Sequence, residues 1–99
     1  KGYLGVVLSN LTTEAIQMYD MPEGAFVIRV EKNSAAGKAG IQKGDIIVSF
    51  DGQTVSGKDD LESKLAYYAS GETVDVIVSR ADNGEYVQKT ISVTLGSKN

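Results

Sequence analysis

The 99 residues contain no histidine and no cysteine. Without imidazole, Ser-His-Asp and Cys-His catalysis cannot be assembled within this chain, and the usual zinc sites lose their ligands. Without thiols there is no disulfide, no thiolate nucleophile and no thiolate metal site. That absence fits either redox compartment. Charge of neither sign dominates, since 13 acidic side chains stand against 10 basic ones for a net charge of −3. No block of Lys or Arg forms a patch able to neutralise phosphates, so nucleic acid is not an expected partner. No apolar stretch approaches the ~20 residues needed to span a bilayer, so direct membrane insertion is not expected, and no signal peptide opens the chain. It starts at Lys1 without an initiator Met and is expected to be a segment of something longer.

What is present suits one folded unit. Hydrophobic residues make up 41% and charged residues 23%, a balance that buries a single core. Residues 3–8 are apolar and β-prone, interrupted only by Gly5, and predict a strand. Thr12-Thr13-Glu14 is placed to cap a short helix reaching about Asp20, with Ala15, Ile16 and Tyr19 on one side, before Pro22 and Gly24 stop it. Residues 25–30 alternate as a second strand. Asn33-Ser34 caps a very short helix over 35–39, with Gly40 just past its end. Residues 45–50 form an apolar run of strand length followed by Asp51-Gly52, a tight-turn pair. Ser56 or Gly57 opens the longest helix, over residues 58–69. Residues 73–80 and 85–95 alternate as two strands joined at Asp82-Asn83-Gly84. The order predicts an α+β, mostly β, fold: a small antiparallel barrel or sandwich of five to six strands with two to three helices. One domain over residues 1–96 is expected, with a frayed tail at 97–99.

Two motifs carry more information than the pattern. In the run Asn33-Ser34-Ala35-Ala36-Gly37-Lys38-Ala39-Gly40-Ile41-Gln42-Lys43-Gly44-Asp45-Ile46-Ile47, small residues let a short helix lie close on a sheet. Gly40 supplies a left-handed cap, and Gly44-Asp45 turns the chain into the next strand. These are scaffold roles, and the run holds no chemistry. Followed by Val48-Ser49-Phe50-Asp51-Gly52, it strongly resembles the core of a PDZ domain. The second motif is Tyr3-Leu4-Gly5-Val6. By itself it reads equally as a strand with a glycine bulge. Beside the first run it resembles the PDZ carboxylate-binding loop, usually Gly-Leu-Gly-Phe, in which successive backbone N–H groups converge on one anion. An acid-base role for Asp45, Asp51 or the Asp59-Asp60 pair is a weaker alternative, because carboxylates on turns and at a helix start are ordinarily solvated.

The long helix supplies the second wall of the implied groove. At 100° per residue, Leu61, Leu65 and Tyr68 form one stripe, with Lys58, Glu62 and Ala69 on its flank and Tyr67 opposite. The resemblance implies a peptide groove with Leu65 at the pocket floor, joined by Leu8 and Leu61, and with Lys58 and Glu62 along its rim. Many PDZ domains begin this helix with a histidine that selects Ser or Thr in the ligand. Here the region is Gly57-Lys58-Asp59-Asp60, so that rule does not transfer. The loop stands at the N-terminus and a strand closes the C-terminus, the permuted order of bacterial protease PDZ domains. Together with the insertion over residues 11–22, it makes the chain similar to the PDZ domain of an HtrA/DegP-type serine protease. That resemblance implies a peptide-binding module with no catalytic residue, no cofactor and no metal of its own. The partners it implies are C-terminal or unfolded polypeptide segments and the protease domain of the same parent, itself extracytoplasmic and membrane-anchored. A PDZ domain of a membrane metalloprotease, a C-terminal processing protease or a secretion component is an alternative parentage, and an oligomer-contact role an alternative function.

Overall fold

β-Branched residues at alternate positions and tight glycine turns between them build one antiparallel sheet. The computed structural model describes residues 1–98. Its strands are β1 (Val6–Asn10), β2 (Ala25–Val30), β3 (Ile46–Phe50), β4 (Gln53–Thr54), β5 (Thr73–Asp82) and β6 (Glu85–Thr94). Its helices are α1 (Thr13–Tyr19), α2 (Ala35–Ala39) and α3 (Lys58–Leu65). The sheet order is β1-β2-β3-β5-β6, with β4 attached to β3. A bulge at the β1–β2 pairing leaves Ile28 without a partner in β1. The core joins Val27, Ile47, Phe50, Val76, Val78 and Val93 from the sheet to Ala36 of α2 and Leu61 and Leu65 of α3.

Local chemistry explains most boundaries. Thr12 Oγ1 accepts the Ala15 N–H at 3.0 Å and caps α1, which ends on Asp20 in the left-handed region. Ser34 Oγ caps α2 by accepting the Gly37 N–H at 3.1 Å, and Gly40 closes it. Asn83 and Gly84 take φ values of 53° and 80°, the primed turn that suits the twist of the β5–β6 hairpin. Asp51-Gly52 makes the same kind of turn and returns the chain as the two-residue β4.

Several expectations are corrected. The strand foreseen from Tyr3 begins only at Val6, because Gly5 at φ 86° breaks the extended run, and Tyr3 forms an isolated bridge with Gly96 instead. α3 stops at Leu65 rather than reaching residue 69. The Tyr67 and Tyr68 amides bond to the carbonyls of Lys64 and Leu65, three residues back, which tightens the turn after the helix. Tyr68 thereby meets Phe50 edge-on, with ring centroids 5.1 Å apart, and its hydroxyl reaches Asp51. Tyr19 does not share a buried face with Ala15 and Ile16, which are half-buried; it is exposed, and α1 buries no residue fully. Asp45 is not a solvated turn carboxylate. It is 1% exposed and held by Arg80. Of the tail expected at residues 97–99, Lys98 places its Nζ 5.9 Å from the Tyr3 ring centroid, and Asn99 lies outside the described residues.

Candidate functional site

The loop turns the Leu4 and Gly5 carbonyls into the fold. The Leu4 carbonyl accepts the Ala36 N–H of α2 at 2.9 Å, and the Gly5 carbonyl accepts the Glu31 N–H at 2.8 Å. Among the described residues, the Leu4 and Gly5 amides donate to no acceptor in the chain. Tyr3 differs from them, because its amide is committed to the Gly96 carbonyl at 2.9 Å. The Glu31–Gly5 bond flanks the Val6–Val30 pair and marks it as the non-hydrogen-bonded kind, so the Val6 N–H and C=O face away from β2. Three successive donors therefore point to one side. Such a nest attracts an anion without any charged side chain.

β1 is the terminal strand of the sheet, and its far side is an open edge. Val27, opposite Leu8, spends both of its backbone groups on the Asp45 carbonyl and the Gly44 amide, so Leu8 also turns its N–H and C=O outward. α3 packs beside this edge against β1 and β2. Between them lies a cavity of about 280 Å³ lined by residues 1–6 with Leu8, Glu62 and Leu65. Leu4, Leu8 and Leu65 are nearly buried and Val6 half-buried, which gives an apolar floor beside the amides. Lys1 and Glu62 stand on the rim.

Of the residues singled out in the sequence, Tyr3, Leu4, Gly5, Val6, Leu8, Leu65 and Glu62 are brought together here. Leu61 is not; it is wholly buried in the core, because α3 presents it to the sheet rather than to the edge. Lys58 also lies outside the lining, since its amide is tied to Asn10 Oδ1 at 2.8 Å at the end of the helix farther from the loop. Asn10 was not anticipated. Its partner is 48 positions away, and only the polar residue closing an otherwise apolar strand could have drawn notice. Larger depressions occur near Tyr86 and near Lys38, but neither combines an apolar floor with free amides and an open strand edge. Among the described residues, no group of three or more acidic side chains is placed to hold a metal ion, and no helix is long and apolar enough to cross a membrane.

Two phenols are held by carboxylates, Tyr3 at the loop and Tyr68 beyond the end of α3. Tyr3 donates its hydroxyl to Glu31 at 2.6 Å, and Tyr68 donates to Asp51 at 2.6 Å. The hydrogen bond to a carboxylate raises each phenol above its ordinary value of 10.0, with desolvation and the neighbouring negative charge adding to it. A raised value in the folded state means this contribution is full below pH 10 and is lost as the pH climbs through the folded values. Melting temperatures measured from neutral pH to about pH 11 should fall on the alkaline side, and a Tyr3→Phe, Tyr68→Phe double variant should flatten that fall. An equally steep fall in the double variant would remove the two phenols as its cause.

The PDZ domain family profile matches residues 2–95. A probable periplasmic serine endoprotease DegP-like from Marinomonas sp. (strain MWYL1) is 34% identical over 100 residues, covering 99% of this chain and 20% of that protein. The protein of the same description from Pseudomonas putida (strain GB-1) is 34% identical over 95 residues, covering 94% of this chain and 20% of its own. The chain thus spans 20% of the length of these curated relatives. Among solved structures, the HtrA-type protease AlgW with decapeptide superposes with a TM-score of 0.76 at 29% identity, covering 100% of this chain and 30% of that one. The HtrA3 PDZ domain bound to a phage-derived ligand (FGRWV) gives a TM-score of 0.76 at 23% identity, covering 96% of this chain and 85% of that one, a likeness of fold.

Proposed function

The chain belongs to the PDZ domain family, in the form found in HtrA/DegP-type serine proteases, and we propose that residues 1–96 act as a peptide-binding regulatory module within a longer endopeptidase. It captures C-terminal or exposed hydrophobic segments of unfolded proteins by adding them as a strand to β1. The observation that carries this reading is the outward turn of the Leu4, Gly5 and Val6 amides at the mouth of an apolar cavity that opens onto an unpaired strand edge. A terminal carboxylate fits the amides, the last side chain fits the floor of Leu4, Val6, Leu8 and Leu65, and the ligand backbone fits the free groups of Val6 and Leu8. The AlgW structure with a decapeptide and the HtrA3 PDZ structure with its phage-derived ligand support the same assignment by likeness. The catalytic groups of the proposed parent belong to its protease domain, since no histidine occurs in this chain to activate a serine. The relatives described as periplasmic support a site of action outside the cytoplasm.

Calorimetric titration of matched free-acid and C-terminally amidated peptides tests the proposal. Hydrogen bonds to a charged group contribute ~1.5–3 kcal/mol each, so amidation should weaken binding by at least ~tenfold. Peptides ending in Val, Leu, Ile or Phe should outbind those ending in Asp or Gly, because burying such a side chain contributes ~1.5–3 kcal/mol. Equal affinity for acid and amide would mean that the edge reads internal strands, and the carboxylate role of the loop would fall.

A further inference from the structure

The groove has a far end, and one side chain closes it. Val6 and Leu8 turn their backbone groups to the open edge of β1, and by the two-residue period Asn10 is the next position to do so. Asn10 does something the other two cannot. Its Oδ1 reaches across to α3 and accepts the Lys58 N–H at 2.8 Å. Gly57, which precedes Lys58 and caps α3, makes no side-chain capping bond of its own, so Asn10 takes over that task from a different element. The approach is close: a Cβ placed on Gly57 would stand 2.8 Å from Asn10 Oδ1. The cavity lining agrees, since it takes in Val6 and Leu8 of β1 and Glu62 and Leu65 of α3 but none of Asn10, Gly57 or Lys58.

We propose that the Asn10–Lys58 bridge fixes the length of ligand this domain reads, making Asn10 a specificity-determining residue that stops strand addition after about the fourth residue from the ligand's C-terminus. The estimate follows from the geometry, because two outward positions on β1 pair with about four residues of an added antiparallel strand. Residues farther upstream in the ligand meet the bridge and leave the sheet. The domain therefore reads a short terminal signature and tolerates any sequence upstream, which suits a module that captures the ends of many different unfolded chains.

The inference rests on the peptide-binding reading, and one experiment separates the failure of either. Free-acid peptides sharing a hydrophobic C-terminus and running from three to eight residues are titrated calorimetrically into the wild-type domain, Asn10→Ala and Asn10→Asp. In the wild type, affinity should rise to about four residues and then stay level. In Asn10→Ala, six- to eight-residue peptides should bind about three- to tenfold tighter than the four-residue one, the effect of one or two added strand hydrogen bonds. Asn10→Asp keeps an acceptor for the Lys58 amide and should keep the plateau. If no free-acid peptide of any length binds, the proposed function itself fails. Continued gain in affinity to eight residues in the wild type overturns the bridge as a stop, with the function intact. A plateau at four residues that persists in Asn10→Ala overturns it as well, because something other than Asn10 would then set the limit. The wild-type series decides the first point even if Asn10→Ala proves too unstable to titrate.

Discussion

The Gly5→Val variant is expected to lose at least about tenfold in affinity for a free-acid hydrophobic peptide, as much as amidating that peptide costs. Gly5 sits at φ 86°, a conformation that a β-branched side chain strongly resists. Space is a second obstacle. A Cβ at Gly5 would lie 2.2 Å from Ser34 Cβ and 2.7 Å from its Oγ. Ser34 cannot simply move aside, because its hydroxyl donates to the Glu31 carbonyl at 2.7 Å while accepting the Gly37 amide that starts α2. Relief must come from the loop, and displacing the loop scatters the Leu4, Gly5 and Val6 amides that face the ligand. Gly44→Ala supplies the control. Gly44 has φ 92°, yet a Cβ there meets nothing within 4 Å, so backbone strain is present and the clash is not. Gly44→Ala should lose some stability and retain peptide affinity. If Gly5→Val, shown folded by its circular dichroism, binds as tightly as the wild type, the loop is not the anion site.

What could be read from the sequence was whatever short-range chemistry decides. Thr12 and Ser34 announced their helices because a hydroxyl acceptor followed by small or polar residues satisfies the first amides locally. Asp51-Gly52 and Asn83-Gly84 announced their turns because few other pairs adopt two successive positive φ values. The apolar alternation of residues 73–80 needed no distant partner to be recognised. Long-range contacts were beyond such reading. Helical periodicity put Leu61 and Leu65 on one stripe, but only the docking angle of α3 makes Leu61 core and leaves Leu65 beside the strand edge. The end of α3 is set by Phe50, against which Tyr68 packs from outside the helix. Asn10 and Lys58 meet across 48 positions with no local signal in either segment. Asp45 followed Gly44 in a turn motif, where a solvated carboxylate was the reasonable expectation, and its burial depends on an arginine in β5.

That arginine carries the largest expected effect on stability. Arg80 grips Asp45 with two parallel bonds, Nε to Oδ1 and Nη2 to Oδ2, each 2.8 Å. Asp45 Oδ2 also accepts the Gln42 amide at 2.9 Å, and Arg80 Nη2 donates to the Gly40 carbonyl at 3.0 Å. The pair therefore fastens the end of α2 and the turn that follows it to the middle of the sheet. Hydrogen bonding to Asp45 raises the Arg80 value above its already high ordinary one, against the smaller effect of desolvation, so base cannot release the grip. The two partners are not equivalent. The Asp45 side chain is 1% exposed and that of Arg80 21%. Arg80→Ala abandons a buried carboxylate to one remaining amide donor and should cost about 3 kcal/mol, the lower end for breaking a buried pair because one partner already touches water. Asp45→Ala should cost less, since the guanidinium left behind can hydrate. The double variant should lose less than the two single losses together, because the second change removes a charge the first had stranded. Urea unfolding of the four proteins at neutral pH measures the cycle. A cost below about 1 kcal/mol for Arg80→Ala would put the pair in the class of exposed surface bridges and remove it as the clasp of this turn.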